Sequence, residues 1–130
     1  EYNNPKDFDG GWGIWDEEFL QYFAHQLSTF RQPFFAREFT ISSHHPFHLP
    51  QRYEKVFPRD EVPYHALIRY TDMSLRKFFQ TARTQPWFRN TLFIITADHG
   101  ECFGENGYFG HGPIVHEKVM EVPFLEGVKR

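Results

Sequence analysis

The chain has 130 residues, a length that fits one domain at most. Its 14 basic and 17 acidic residues give a formal net charge of -3, and this near balance argues against a nucleic-acid binder, a class that usually carries a basic stripe. The composition, 40% hydrophobic and 19% aromatic, is sufficient for a core, but no window approaches the roughly 20 apolar residues that span a bilayer. Cys102 is the single cysteine, so an internal disulfide is excluded.

Apolar periodicity predicts two helices in the first two thirds of the chain. The first is expected over residues 16–30, with Asp16 as its N-cap and two glutamates in its first turn. Residues 34–42 are predicted to form a strand, and residues 43–60, which contain three prolines, an ordered loop. A longer amphipathic helix is expected over residues 64–84.

The most informative stretch of the chain begins at residue 92. Residues 92–97 form an apolar run without a charge, which predicts a strand covered on both faces, as in a parallel sheet. The run ends abruptly in Asp98 and His99. A loop with five glycines is expected over residues 100–115, followed by a strand near residues 119–125. The order helix, strand, helix, strand, strand predicts α/β layering.

Asp98 and His99 are the first candidates for chemistry. Ligands of open α/β sheets collect just beyond the carboxyl ends of strands, where both side chains are expected, and Gly100 lets the backbone turn behind them. A carboxylate and an imidazole together suit Zn²⁺, Mn²⁺ or a related divalent ion. The alternative is an aspartate that caps a turn and a histidine that bonds to a backbone carbonyl. The position after a buried strand favours the metal site.

Two further groups of histidines are candidates. His111 stands between two glycines, which leave its imidazole open to an anion or a metal ion; the alternative is a flexible surface loop with an incidental histidine. His44, His45 and His48 lie beside Pro46, directly after the predicted strand at residues 34–42, and can bind a metal ion or phosphate oxygens. We expect one of these three to be functional and the others to pack or to face solvent.

Other polar residues have weaker cases. Glu101, Glu105 and Glu117 can orient imidazoles from behind, although Glu105 and Glu117 fit equally well as solvated charges. Cys102 can supply a thiolate ligand, but a lone cysteine among glycines and acidic residues is more often unrelated to a site. The remaining histidines are expected to be structural: His25, His65 and His116.

Taken together and in this order, these motifs resemble the alkaline-phosphatase/sulfatase superfamily, and within it the lipoteichoic acid synthase-type (phosphoglycerol transferase) branch. The segments that carry the resemblance are residues 40–47, 68–75, 90–101, and 110–112 followed by 117–123. The resemblance implies an α/β fold with a mainly parallel sheet flanked by helices. It also implies that residues 1–130 are the carboxy-terminal part of a single sulfatase-like catalytic domain, cut from a longer protein.

The resemblance implies roles for individual residues. Asp98 and His99 are implied to be ligands of one catalytic divalent metal ion: Mn²⁺, Zn²⁺ or Mg²⁺. His44 and His111 are implied to contact the substrate phosphate or to hold a second ion, as in phosphoethanolamine transferases of the same superfamily. His45 is a weaker candidate for substrate binding. The family's nucleophilic threonine, and an acidic metal ligand from an earlier strand, are implied to lie upstream of this chain.

The activity implied by the resemblance is metal-dependent transfer of phosphoglycerol or a similar head group. The group passes from a lipid to a cell-envelope acceptor through a covalent phosphothreonine. The implied substrate is a phospholipid head group or another phosphate or sulfate ester, and the implied partner is the remainder of the catalytic domain. We do not expect the chain to turn over substrate by itself.

The resemblance also implies a location, and it leaves the activity open between classes. It implies a membrane-anchored protein whose catalytic domain faces the periplasm or the cell exterior. One alternative activity is that of a sulfatase or a phosphodiesterase/phosphatase, which hydrolyses sulfate or phosphate esters. The other is a non-catalytic member of the superfamily that binds a glycan or a protein partner.

Overall fold

A computed structural model describes residues 1–57, 62–112 and 115–128. The chain divides into two compact units, Glu1–Phe88 and Arg89–Arg130. Within the described ranges, no helix combines the length and the apolarity needed to cross a membrane.

Two packed helices form the centre of the first unit. Helix α1 covers Asp16–Leu27 and helix α2 covers Pro63–Ala82, the latter within two residues of the predicted bounds. The residues that α1 buries include Leu20, Ala24 and Leu27, whose spacing of four and three places them on one face of the helix. The amphipathic pattern that predicted both helices is therefore the pattern by which they pack.

The main apolar cluster of the first unit is built on α2. Ala66, Leu67 and Tyr70 are fully or almost fully buried and pack with Leu49 from the segment before the helix. Partly buried side chains complete the cluster: Trp15, Phe47, Tyr53, Phe57 and Met73. Burial of an aliphatic or aromatic side chain stabilises a fold by roughly 1.5–3 kcal/mol. The segment that carries His44, His45 and His48 is thus attached to α2 through its apolar side chains, Phe47 and Leu49.

The ends of α1 differ from the prediction. Trp15 is the N-cap, and Asp16, which was predicted as the cap, is the first helical residue. The Asp16 carboxylate accepts the backbone N–H groups of Ile41 (2.9 Å) and Ser42 (3.0 Å), so it is committed to a distant segment and does not cap its own helix. Beyond Leu27 the backbone N–H groups bond three residues back, a tighter turn that ends the α-helix before residue 30.

The strand predicted at residues 34–42 is wrong. Side-chain burial alternates along this segment, as extended backbone produces, but the segment pairs with no strand in the described part of the first unit. At its end the backbone N–H groups of Ile41 and Ser42 bond to the Asp16 side chain instead. The following segment is a loop, as predicted, with a short 3₁₀ turn at Gln51–Tyr53; residues 58–60 of that prediction lie outside the described residues.

The strand predicted at residues 92–97 is confirmed as an element, but its pairing was predicted wrongly. Strand β1 (Leu92–Thr96) pairs antiparallel with a later strand at Phe124–Val128. Leu92 and Ile94 are 53% and 56% exposed in this chain, so β1 is not covered on both faces here. An apolar run predicts a strand without fixing its direction, because direction depends on which segment returns beside it.

A short hairpin follows in the segment that was predicted as a glycine-rich loop. Strands β2 (Cys102–Phe103) and β3 (Phe109–Gly110) pair antiparallel around a 3₁₀ turn at Glu105–Gly107. Gly104 and Gly107 adopt φ of 117° and 80°, a region that glycine enters without steric cost. The glycines of this segment therefore shape a defined hairpin.

The strand predicted near residues 119–125 is replaced by two elements. A single-turn helix, α3 (Glu117–Met120), comes first, and strand β4 (Phe124–Val128) begins later than expected. His116 explains the helix, because its Nδ1 accepts the backbone N–H of Lys118 at 3.2 Å and caps the first turn.

Candidate functional site

The candidate site of the second unit begins where β1 ends. Asp98 and His99 follow the strand, and the backbone then passes close to α3. Gly100 N–H donates to the carbonyl of Val119 at 2.8 Å, and a Cβ atom at Gly100 would lie 1.9 Å from the carbonyl oxygen of Lys118. Two backbones approach too closely here for any side chain, so glycine is required. The contact fixes the chain directly after the two candidate ligands.

Three side chains of the second unit come together at this point. His99, Glu101 and His111 each offer a ligand atom, and these atoms lie within 4.8 Å of one another. The rings of His99 and His111 stack, with centroids 3.8 Å apart and planes inclined by 26°. Nδ1 of His111 lies 2.6 Å from Oε2 of Glu101, the distance of a strong charge-assisted hydrogen bond. We call these three residues the His99 cluster.

Both imidazoles of the His99 cluster use Nδ1 as a hydrogen-bond donor. Nδ1–H of His99 donates to the carbonyl of Gly100 at 2.8 Å, and Nδ1–H of His111 donates to Glu101, since a carbonyl and a carboxylate only accept. Nε2 of each ring is therefore the atom available to a metal ion or, when protonated, to an oxyanion. Histidines that bind metals are typically oriented by such a bond from the other ring nitrogen.

Asp98 lies beside the His99 cluster. Its Oδ2 is 3.8 Å from Nε2 of His99, and its Oδ1 accepts the backbone N–H of the same residue at 3.0 Å. Imidazole nitrogens and carboxylate oxygens bind zinc at about 2.0–2.2 Å, so two ligand atoms 3.8 Å apart can contact the same ion. The Asp98 side chain is 58% exposed. A donor set of carboxylates and imidazoles of this kind fits Zn²⁺, Mn²⁺ or Mg²⁺.

Glu101 orients an imidazole, the role predicted for it, because its carboxylate bonds to Nδ1 of His111. The structure also makes it a member of the His99 cluster, which the sequence did not predict. A signal was available, because residues two apart in extended backbone point to the same side, and Glu101 follows His99 at that spacing. Within the described part of the second unit, Glu105 instead accepts the N–H of Phe103, and Glu117 begins α3.

Cys102 does not behave as a metal ligand in this arrangement. Its side chain is buried, and Sγ lies 3.5 Å from Nδ1 of His116, to which the thiol donates. Burial and the neighbouring carboxylates of Glu105 and Glu101 raise the pKa of the Cys102 thiol. A protonated, buried thiol is a poor ligand, because metals bind the thiolate.

The first unit holds His44 beside a cavity of 160 Å³. Residues that line this cavity include Asp9, Trp12, Ser42 and His48, together with His44 itself. Among the described residues that line it, Asp9 is the one with a formally charged side chain. The cavity thus combines indole and imidazole surfaces with few charges.

His44 is held in place from two sides. The Trp12 ring packs on the His44 ring with centroids 4.1 Å apart, and Trp12 Nε1–H donates to the carbonyl of His45 at 3.0 Å. Nδ1–H of His44 donates to the same carbonyl at 2.9 Å, which again leaves Nε2 available. Trp12 is itself presented by a fixed loop, because Oδ1 of Asp9 accepts the backbone N–H groups of residues 11–13 at 2.7–3.0 Å.

The predicted site residues are divided between the two units. Asp98, His99 and His111 lie in the second unit, where the structure brings the two histidines together and places Asp98 next to them. His44 and His45 lie in the first unit. The His44 ring is held by Trp12 and by the hydrogen bond of its Nδ1 to the carbonyl of His45. The approach of His44 to the His99 cluster, and a second ion near His44 and His111, stay predictions.

Comparison with known proteins identifies the family of the chain. The family model described as Sulfatase matches residues 1–125, so the chain belongs to the sulfatase family. A crystal structure of a protein in the alkaline phosphatase superfamily from Vibrio parahaemolyticus matches 98% of this chain and 30% of its own, with a TM-score of 0.72 and 29% identity. The predicted superfamily and the α/β fold class are thereby confirmed.

Curated relatives agree with this placement. The chain is 27% identical over 93 residues to the lipoteichoic acid synthase-like YvgJ of Bacillus subtilis (strain 168), and 28% identical over 92 residues to Lipoteichoic acid synthase 1 of the same organism. These matches cover 68% and 67% of this chain but 15% and 14% of the relatives. An arylsulfatase of Clostridium perfringens (strain 13 / Type A) is 28% identical over 72 residues, which are 55% of this chain and 15% of the enzyme.

The family places bounds on the chemistry of the site. The predicted lipoteichoic acid synthase-type branch is confirmed by the two Bacillus relatives. Members of the superfamily are typically enzymes that act on sulfate or phosphate esters and generally use a divalent metal ion. Among the described residues, the His99 cluster is a group that can hold such an ion.

Proposed function

We propose that this chain is the carboxy-terminal part of the catalytic domain of a metal-dependent phosphoryl-group transferase. The transferred group is phosphoglycerol or a similar head group, which passes from a lipid to a cell-envelope acceptor. The observation that carries the proposal is the convergence of His99, Glu101 and His111 beyond the end of β1, with Nδ1 of both rings already bonded. The likeness to Lipoteichoic acid synthase 1 and to the lipoteichoic acid synthase-like YvgJ supports transfer over hydrolysis.

Asp98 and His99 are the residues that hold the metal ion in this proposal, through a carboxylate oxygen and Nε2. When bound, a divalent ion lowers the pKa of the nucleophile and neutralises charge on the phosphoryl oxygens. The carbonyl of Gly100 keeps His99 in the tautomer whose Nε2 carries the lone pair. The close contact of Gly100 with the backbone of α3 keeps both ligands at one position in the second unit.

His111 binds a non-bridging oxygen of the ester through Nε2–H. In this role the His111 ring donates from both nitrogens: Nδ1–H to Glu101 and Nε2–H to the ester oxygen. An imidazole that donates from both nitrogens is cationic, and the Glu101 carboxylate balances its charge. His44 has the corresponding role from the first unit, and His45 is the weaker candidate there. Each donor that stabilises developing charge in this way typically contributes about 10²–10³ in rate. A second ion held near His44 and His111 is the alternative use of the same atoms.

The covalent step requires a threonine that lies outside this chain. Its Oγ attacks phosphorus, the bond from phosphorus to the lipid alcohol breaks, and a phosphothreonine forms. An acceptor hydroxyl then displaces the threonine oxygen, so the head group reaches the acceptor and the threonine is restored. In the proposal the remainder of the catalytic domain supplies this threonine, and the domain is anchored to the membrane and faces the periplasm or the cell exterior.

Replacement of the two metal ligands in the intact protein tests the proposal. Asp98→Ala and His99→Ala are each expected to abolish bound metal, measured by elemental analysis, and turnover with it, because loss of a ligand removes the ion. The matched controls are Asp72→Ala and His25→Ala, which change exposed residues of the two helices in the first unit. Undiminished metal content in both ligand variants would contradict the proposal.

A second candidate function is hydrolysis of a sulfate or phosphate ester. The likeness to the arylsulfatase of Clostridium perfringens favours it. The two functions are separated by the hydrolysis of an aryl sulfate compared with that of an aryl phosphodiester, and by the nucleophile, since formylglycine at that position indicates sulfate. A nucleophile position without Thr, Ser or Cys would instead indicate a non-catalytic member that binds a glycan or a protein partner.

A further inference from the structure

We propose that Asp16 is a positioning residue for His44, and that it thereby sets the affinity of the first unit for the anionic group of the ester. The inference rests on the role proposed above for His44. Asp16 is the first residue of α1, and its buried carboxylate bonds to other segments instead of capping the helix.

The Asp16 carboxylate joins three segments of the first unit. Oδ1 accepts the backbone N–H groups of Ile41 (2.9 Å) and Ser42 (3.0 Å), and Oδ2 accepts the hydroxyl of Thr71 from α2 (2.9 Å). Oγ of Ser42 in turn accepts the backbone N–H of Asp16 at 2.9 Å. Asp16 is 1% exposed, so these bonds are sheltered from water. The start of α1, the middle of α2 and the segment before His44 are therefore tied at one point.

This point lies directly before the turn that carries His44. The backbone N–H of His44 donates to the carbonyl of Ile41 at 3.1 Å, so Ile41 is held by Asp16 through its N–H and closes the turn through its carbonyl. The ring of His44 is then held by Trp12 and by the carbonyl of His45. Asp16 therefore fixes the backbone of the turn, whereas Trp12 fixes the ring that the turn presents.

A carboxylate is suited to this task. Hydrogen bonds to a charged acceptor are roughly twice as strong as bonds between neutral groups. In the described part of the first unit, no lysine or arginine forms an ion pair with Asp16, so its charge is compensated by hydrogen-bond donors alone. Functional side chains must be held within about 0.5 Å of their productive geometry, which a stiff buried network achieves and a solvated loop does not.

A double-mutant cycle in the intact protein tests whether Asp16 acts through His44. Asp16→Asn keeps the shape of the side chain: the amide oxygen can accept from Ile41 and Ser42, and the amide nitrogen can donate to Thr71. The readouts are the affinity for inorganic phosphate by calorimetry and kcat/KM with bis(p-nitrophenyl) phosphate and p-nitrophenyl sulfate. We expect His44→Ala to lower kcat/KM by about 10²-fold and Asp16→Asn to lower it by about 10-fold.

The decisive result is the effect of Asp16→Asn when His44 is already alanine. If Asp16 acts only through His44, replacing it should change little once His44 is alanine. We therefore expect Asp16→Asn to lower kcat/KM by less than about twofold in that background. An equal loss in both backgrounds would show a general structural role and overturn the proposal, as would an Asp16→Asn variant that matches the wild type. If His44→Ala itself changes neither readout, the proposed role of His44 fails, and this inference falls with it.

Two threonines of α2 provide a matched pair of controls. Thr71 donates to Asp16, whereas Thr81 donates to Gln21 at 2.6 Å, another bond between α2 and α1, which involves no residue of the His44 turn. Thr71→Val and Thr81→Val are expected to lower the melting temperature by similar amounts, but only Thr71→Val should weaken phosphate binding. Equal weakening by both variants would contradict a role specific to the Asp16 contact.

Discussion

Glu101 gives His111 both an orientation and a counter-charge. The two side chains meet at 2.6 Å, and Glu101 is only 18% exposed, so solvent screens the pair incompletely. Glu101→Gln keeps the shape and an acceptor but removes the charge. We expect kcat/KM of the intact protein to fall by about 10–100-fold, the usual effect of changing the partner of a site histidine.

The control for this substitution lies in the same hairpin. Glu105→Gln changes an exposed carboxylate that accepts the backbone N–H of Phe103. A glutamine oxygen can accept the same N–H, so the hydrogen bond is kept and the charge is removed. Near-wild-type kinetics are expected for this control. Equal losses in the two variants would mean that the charge of the hairpin matters, and that the contact between Glu101 and His111 does not.

We expect Glu38 to make the stability of the protein depend on pH. Burial and, after it, the nearby Asp16 carboxylate raise the pKa of Glu38 from 4.5 to about 7. Between these two values the folded state holds a proton that the unfolded chain has released, so stability decreases as the pH rises through this window.

Replacement of Glu38 by an uncharged residue should remove that loss. We expect Glu38→Gln to stabilise the intact protein by on the order of 1–3 kcal/mol at a pH of about 8. At a pH of about 4 we expect little effect, because the glutamate is then protonated and is as uncharged as the glutamine that replaces it. Thermal unfolding at the two pH values measures the difference. An equal gain at both values would point to packing instead of charge, and Glu54→Gln serves as an exposed control.

At this scale the sequence predicted the candidate ligands better than their partners. Asp98, His99 and His111 could be selected because each stands in a recognisable local setting, after an apolar run or between glycines. The tether made by Asp16 could not be predicted, because an acidic residue at a helix start has an ordinary local explanation as a cap. Only the fold shows that its carboxylate is bonded to residues far along the chain.

Among the elements, the junction between β1 and α3 has the tightest geometry. A Cβ atom at Gly100 would meet the carbonyl oxygen of Lys118 at 1.9 Å and that of Glu121 at 3.1 Å, and both are backbone atoms. Gly100→Ala must therefore move α3 or the chain after His99. Overpacking of this kind typically costs about 1–3 kcal/mol.

We expect Gly100→Ala to lower both the melting temperature and the metal content of the intact protein, as measured by calorimetry and elemental analysis. Gly112→Ala is the matched control, because no atom of the described residues lies within 4 Å of the Cβ position at Gly112 and its φ is not positive. A Gly100→Ala variant that behaves like this control would show that the junction is able to relax.

Helices were predicted more accurately than strands for a physical reason. The apolar spacing of α1 and α2 is a local signal, and the packed faces of both helices follow it. Strand formation depends on a second segment that pairs with the first, and the local sequence pattern does not predict which segment that is. Residues 34–42 have the alternation of an extended segment but no strand partner in the described residues. The run predicted at residues 92–97 forms a strand over Leu92–Thr96, with a different pairing from the one expected.

At the scale of the whole molecule, metal binding and stability should be coupled. An ion that binds only the folded state stabilises it, by about 2.7 kcal/mol when its concentration is 100 times the dissociation constant. We expect a chelator to lower the melting temperature of the intact protein, and the metal to restore it. The His99→Ala variant should be insensitive to the chelator, whereas a His25→Ala variant should respond like the wild type.

The family could be predicted from the sequence because several motifs occur in a fixed order, although each is short. The match of the sulfatase model over residues 1–125 confirms that prediction. The arrangement of the candidate site could be predicted only in part, since residues of distant segments meet through the fold. The structure joins His99 to His111, while His44 lies in the other unit.

Cys102 is the immediate neighbour of Glu101, yet its sulfur is sheltered. The thiol is 1% exposed, bonded to His116, and its pKa is raised. Oxidation and alkylation attack accessible thiolates. We therefore expect neither reaction to modify Cys102 while the β2–β3 hairpin is folded. Such protection would also spare the neighbouring Glu101 and the His99 cluster from chemical change at this sulfur.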